Sequence, residues 1–223
     1  MPHKNHTIIH TVLVPAGAEY KAVKQGLSRV QNAPLLVAIP AGPQGLEAFL
    51  RDGQVAKLNR KGWLLMGLGG SLASGYGIGE PVALQKIWNH LTGEILECDA
   101  EITEWLVRRL EIETGIGVTC DRIITTVQQK QQLGQTYRAD VVDMEGAILL
   151  KSLSVTGGIV RVISDDCEGD LPDIGEAIAP NGSLKPVQMA LGFAKKPKAA
   201  LRLIRGSLKA LKELEALTYR LFS

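Results

Sequence analysis

The chain has 223 residues, 45% of them hydrophobic and 22% charged, with a formal net charge of +2. That length carries one well-cored domain, 1–223, and so small a net charge makes no case for nucleic acid as a partner of the whole molecule. Cys98, Cys120 and Cys167 are far apart and lack CxxC spacing, which excludes a disulfide framework or a cysteine zinc site and points to a reducing, cytoplasmic setting. No apolar run reaches transmembrane length, and the first residues lack the apolar core of a signal peptide.

From the N-terminus, Thr7–Val14 (TIIHTVLV) is short, β-branched and stopped by Pro15, which predicts a buried first strand. Pro34–Ile39 reads as a second, followed by a Gly-Pro turn and a short helix in AGPQGLEAFL. Trp63–Leu68 is a third, running into the glycine-rich GLGGSLASGYGIGEP at residues 67–81. Asp99–Glu113 has helical periodicity, Gly117–Val127 is strand-like with a break at Asp121, and Lys130–Thr136 suits a short helix. Ala139–Val142 enters VVDMEGAILL, whose Glu145–Leu153 continues as a helix with Gly157–Gly158 past its end. Gly158–Ile163 is another strand, residues 166–183 are a polar loop, and Pro186–Ala194 and Pro197–Leu221 are helical. Apolar strands alternating with helices predict an α/β domain, a mostly parallel sheet covered on both faces, with ligands at the carboxyl ends of its strands.

Three of those strand ends carry acids. Glu19 follows the first strand, Glu145 the VV strand and Asp165 the GIVRVI strand. Carboxylates converging on one pocket suit glycosidic cleavage, in which one protonates the leaving group, another activates water, and negative charge stabilises an oxocarbenium-like transition state. Each acid taken singly also fits a helix N-cap or first-turn position. The glycine-rich segment contains neither GK[ST] nor a G-x-G-x-x-G after its strand, so it supports a ligand-facing or merely tight loop rather than a dinucleotide site. His3, His6 and His10 have no Cys or acid at metal-ligand spacing, and no metal is expected. Cys167 reads as a packed thiol.

The charge is unevenly spread. Residues 193–223 hold eight Lys/Arg against Glu213 and Glu215, so the rest of the chain is mildly acidic. In the last helix, about 197–221, Leu201, Ile204, Leu208 and Leu211 form one apolar stripe, with Arg202, Arg205, Lys209 and Lys212 largely off it. The ordinary meaning is a core-facing helix with a solvated basic face; the alternative is a helix resting on anionic lipid.

DMEGA after a VV strand, followed about twenty residues on by RVISD, resembles the purine nucleoside phosphorylase and methylthioadenosine/S-adenosylhomocysteine nucleosidase superfamily. LVPAGAE and MGLGGSL extend the resemblance over nearly the whole chain. It implies a three-layer sandwich, no cofactor, and cleavage of a purine nucleoside's N-glycosidic bond. By position, it implies that Glu145 binds the ribose hydroxyls and Met144 the sugar face. Asp165 protonates purine N7, Glu19 handles the attacking water, and Gly69 and Gly70 wall the base. Arg161 orients Glu145, Ser164 belongs to the substrate-binding R-x-I-S-D, and Val127 is a base contact. Protonating N7 requires Asp165 to hold a proton near neutral pH, which burial or acidic neighbours favour.

Where phosphorylases of the superfamily hold phosphate with arginines and a serine, this chain has Leu65 and Leu68, and PAGAE offers no arginine. Water is therefore the expected nucleophile, with phosphate the alternative co-substrate. TTVQQKQQ shows no aromatic to stack on adenine. VDMEG, RVISDDCEGDLP, APNGSLKP and the basic tail further resemble the hopanoid-associated branch, which removes adenine from a sugar attached to a polycyclic lipid. That branch implies a lipid-linked substrate, which would give the basic amphipathic tail a reason for peripheral membrane contact; the superfamily implies a homodimer or larger homo-oligomer. A nucleoside-binding protein without catalysis and a nucleotide-dependent oxidoreductase are the competing classes.

Overall fold

A computed structural model describes residues 8–52, 62–153, 155–172 and 186–223. His3, His6, the 173–183 part of the polar loop and APNGSLKP up to Lys185 lie outside the described residues. The elements are β1 Thr11–Pro15, α1 Ala18–Leu27, β2 Leu35–Ile39, α2 Pro43–Arg51, β3 Trp63–Ser71, β4 Pro81–Asn89, β5 Ile95–Glu97 and α3 Ala100–Leu110. They continue with β6 Glu113–Thr119, α4 Val127–Tyr137, β7 Val141–Asp143, α5 Gly146–Ser152, β8 Gly157–Asp165, α6 Pro186–Lys195 and α7 Pro197–Phe222.

β2, β1 and β3 pair in parallel, and β3 pairs in parallel with β8 on its other edge. β8 then pairs antiparallel with β4, β4 parallel with β6, and β6 parallel with β7. The last residues of β3, Gly70 and Ser71, pair antiparallel with β7, so these five strands close into a ring. Closure depends on β3 changing partners along its length: Trp63–Leu65 face β1, and the register shifts between Gly69 and Gly70. A Cβ on Gly69 would lie 2.8 Å from Cγ1 of Val141, so a bare backbone there lets β7 approach.

The α/β class and the mixed, mostly parallel sheet agree with the sequence, but the direction of β7 does not. It runs against β1, β3 and β8, so the chain reaches Glu145 while heading back along β3 rather than toward a rim shared with the other strand ends. The strand expected at 117–127 lies earlier, at Glu113–Thr119. Helix α3 stops at Leu110, where Glu111 turns left-handed with φ of 55°, and an extended chain follows at once. β4 and β5 were not anticipated; their Gln85, Lys86 and Glu97 break the apolar run.

One layer packs α1, α3 and the second half of α7 on the sheet, through Val23, Leu27, Ile102, Leu106, Leu214, Leu217 and Leu221. The other layer holds α2 and α5, through Leu46, Ala147 and Leu149. The stripe of Leu201, Ile204 and Leu208 does not face this core. It is exposed, and the buried positions of α7 are Ala200, Gly206, Ala210, Leu214, Leu217, Thr218 and Leu221. The two sets are offset by one residue, about 100° around the helix. Among the described residues no helix is long and apolar enough to cross a membrane.

Candidate active site

A cavity of about 240 Å³ opens where β3, β8, the β7–α5 junction and the first turn of α1 meet. Glu19, Gly69, Gly70, Met144, Glu145, Ser164 and Asp165 line it. Residues separated by up to 146 positions in sequence are thus brought to one place. Arg161 lies directly behind, fully buried.

β1 ends at Pro15, and Gly17, at φ of 109°, turns the chain into α1 so that Glu19 falls in its first turn. Oε1 of Glu19 accepts a hydrogen bond from the Leu68 N–H at 2.6 Å. As a whole residue Glu19 is half-buried and lines the cavity. Burial, reinforced by the charge of Glu145, lifts the Glu19 pKa from the ordinary 4.5 to about 7, against the pull of the Leu68 N–H and Arg161. A carboxyl with that pKa can take a proton from water and return it at neutral pH.

Glu145 occupies the N-cap position of α5 but makes no cap bond. Its Oε1 accepts from the Gly42 N–H at 2.9 Å, and its Oε2 from Arg161 Nη2 at 3.0 Å. Burial raises its pKa, and the Arg161 guanidinium works against that rise. The capping is done by Asp143, whose Oδ2 accepts from the Gly146 N–H at 3.1 Å. The same carboxylate accepts from Thr119 Oγ1 at 2.6 Å and from Arg161 Nε at 3.1 Å and Nη2 at 2.5 Å. Asp143 therefore anchors Arg161, and Arg161 positions Glu145. Burial works against the guanidinium charge, but Asp143, Glu145 and Glu19 more than offset it and raise its pKa.

Arg161 Nη1 is buried with no hydrogen-bond partner among the described residues. A Cβ on Gly67 would lie 2.6 Å from Nη1 and 2.7 Å from Oε1 of Glu19, so this donor and this acid flank one small gap. An unpartnered buried donor beside an acid with a pKa near 7 is a place for a ligand oxygen. Glycine is needed here: any side chain at 67 would fill the gap.

Asp165 ends β8 with both oxygens engaged. Oδ1 accepts from Ser164 Oγ at 2.7 Å, and Oδ2 is bonded by the Lys130 ammonium, which also reaches the Asp166 carbonyl at 2.6 Å. Lys130 is fully buried, while the Asp165 side chain stays 14% exposed, toward the cavity it lines. The neighbour expected for Asp165 was an acid, and the structure supplies a cation; the Asp166 side chain turns away to Arg202. Gly70 makes room, since a Cβ there would come within 2.9 Å of Asp165 Oδ2.

Lys130 is the residue the sequence reading missed. It lies in a run of glutamines, yet it shares one face of α4 with Leu133 and Tyr137, at spacings of three and seven, and that face is turned inward. Val127 is not a cavity residue. It opens α4, with its N–H held by Asp170 Oδ1 at 2.9 Å, and the wall expected of it is made by Arg122, Ile123 and Ile124. The chain leaves β6 at Thr119 and crosses the cavity before α4 begins. Leu65 likewise belongs to the core, while Leu68 lines the cavity. Burial pushes the thiols of Cys98 and Cys120 up to about 12, so they are inert packing groups.

No family model and no curated protein matches the sequence. Solved structures match the fold over almost the whole chain. A mutant of the Helicobacter pylori nucleosidase MTAN, with 5'-methylthioadenosine in its active site, superposes at a TM-score of 0.63 and 14% identity, covering 93% of this chain and 96% of that one. Futalosine hydrolase of Helicobacter pylori gives a TM-score of 0.67 at 14% identity, covering 95% of each chain. The Streptococcus pyogenes S-adenosylhomocysteine nucleosidase bound to 5-methylthiotubericidin gives 0.62 at 14% identity, covering 92% and 98%. At such identities the likeness is one of fold: this chain has the fold of the methylthioadenosine/S-adenosylhomocysteine nucleosidases and of futalosine hydrolase.

Proposed function

We propose that the protein hydrolyses the N-glycosidic bond of a purine nucleoside. The observation that carries the reading is the Glu19 carboxyl, with a pKa of about 7, facing the unpartnered Nη1 of Arg161 across Gly67. A water between them donates to Glu19 and accepts from Arg161. As its oxygen bonds to the anomeric carbon, its proton passes to Glu19, and the C–N bond breaks toward the purine. Glu145, held by Gly42 and Arg161, accepts from the ribose hydroxyls and stabilises positive charge on the sugar. Met144 packs against the sugar face. A proton passes from the Lys130 ammonium through the Asp165 carboxyl to N7 as the C–N bond breaks, which leaves Lys130 as the neutral amine. General acid catalysis of this kind supplies about 10²–10⁴-fold.

Water is favoured over phosphate because the gap is flanked by Glu19, whose carboxyl already feels the charge of Glu145, and Arg161 is already paired with two carboxylates. An entering dianion would meet acids rather than free cations. The finer reading is an adenine nucleoside whose sugar carries an apolar group, as in the adenosylhopane of the hopanoid-associated branch. VDMEG and RVISDDCEGDLP support it, as does the closeness of the exposed apolar part of α7, whose Leu203 reaches the cavity.

The test is mass-spectrometric detection of free base from a nucleoside panel that includes a lipid-linked adenosine, with and without phosphate. Base release without phosphate is expected. Asp165→Asn is expected to abolish it, and Lys130→Met to lower kcat by about 10²-fold with KM little changed. No base from any nucleoside, or near-wild-type release by Asp165→Asn, sinks the proposal. A strict phosphate requirement replaces hydrolysis by phosphorolysis.

A further inference from the structure

The first half of α7 and the end of α6 present a surface the catalytic reading does not use. Leu191 is 59% exposed, Leu201 48%, Ile204 41% and Leu208 63%. Four large aliphatic side chains in water on one short stretch call for a covering partner. Residues 186–212 also hold seven Lys/Arg and no acid. Lys198, Arg202, Arg205 and Lys209 line a shallow hollow of about 440 Å³ with Ile78 and Leu201. Of these cations Arg202 is paired to Asp166, while Lys198, Arg205 and Lys209 are exposed.

We infer that this face docks the protein on an anionic lipid surface. Aliphatic side chains entering the acyl boundary, ringed by cations at the level of the headgroups, are the chemistry of an interfacial helix. The hollow fits a phosphate-bearing headgroup, because cations line it and an apolar edge borders it. A second copy of the chain fits poorly. In a twofold contact the patch meets itself, and here every charge would meet its like. The helix can take this role without disturbing the fold, since its core contacts lie about 100° around from the stripe and mostly beyond residue 210. Leu203, between the exposed Leu201 and Ile204, lines the catalytic cavity, so docking sets the cavity beside the lipid surface.

The inference does not depend on the hydrolytic reading. The test is co-sedimentation of the full chain with vesicles of phosphatidylcholine alone or mixed with phosphatidylglycerol. Binding to the mixed vesicles, weakened by salt, is expected. Arg205→Gln with Lys209→Gln is expected to lower partitioning about thirtyfold, and Ile204→Ser with Leu208→Ser to lower it at least tenfold. Both double variants should keep wild-type thermal stability and base release from a water-soluble nucleoside, which separates failure of docking from failure of catalysis. Absence of binding to anionic vesicles overturns the inference, as does undiminished binding by both variants. A wild-type dimer that the Ile204/Leu208 variant converts to monomer also overturns it, because a second copy then covers the face.

Discussion

Burial of the Glu19 carboxyl, with the charge of Glu145 beside it, ties stability to pH in a definite direction. Below about pH 4.5 folded and unfolded chains both hold the proton, and the site costs nothing. Between 4.5 and 7 the unfolded chain releases it while the folded chain keeps it, so stability falls as pH rises; above 7 the loss is constant. Glu19→Gln removes that titration. Its stability relative to wild type should therefore climb from pH 4.5 to 7 by on the order of 1–3 kcal/mol, while base release is lost. Urea denaturation across this range checks it, and stability curves that stay parallel would refute it. At this scale much of the site was legible. Glu19, Met144, Glu145, Ser164 and Asp165 stand at strand ends, where an acid or polar group interrupts an apolar run, and they line one cavity. Lys130 was not legible, because a buried lysine among glutamines looks like a solvated one until its partner, Asp165, comes from 35 residues away.

Helix and strand ends were read to within a few residues where a cap or a proline marks them, as at Asp99, Pro15 and Pro197. They were misread where long-range pairing decides. β4 carries polar residues because only part of its length is covered, and β6 begins early because Gly115 and Gly117 let it lie against β4, where a Cβ would come 2.9 Å from Val82 and 2.8 Å from Leu84. The stripe of α7 was misassigned for a similar reason. Small residues, Ala200, Gly206 and Ala210, make the packed face, so the larger leucines look like the core when they are not. Gly206 carries a prediction. A Cβ there would overlap the Ser164 carbonyl oxygen, where α7 crosses the end of β8. Gly206→Ala should cost about 1–3 kcal/mol by overpacking and should lower base release by displacing Ser164 and Asp165. Unchanged thermal stability together with unchanged turnover would show that the crossing is looser than this.

Two halves of one helix divide the molecule's tasks. Up to Lys212, α7 is basic, exposed on its apolar stripe and adjacent to the cavity; beyond it, the helix is core. Leu214, Leu217 and Leu221 are buried against α1, α3 and the sheet, and Arg109 Nη2 donates to the Ser223 oxygen at 2.5 Å. Each buried leucine lost from such a core costs about 2–5 kcal/mol, so three cost about 6–15, the size of a whole domain's stability. Deleting residues 213–223 should therefore abolish the cooperative unfolding transition, although no residue of the segment lines the cavity. Substituting the exposed stripe of the first half should leave that transition unchanged. Calorimetry of the two variants separates these outcomes. A truncated chain that still unfolds cooperatively, within a few degrees of wild type, would mean that the sheet and α3 hold the fold without this helix.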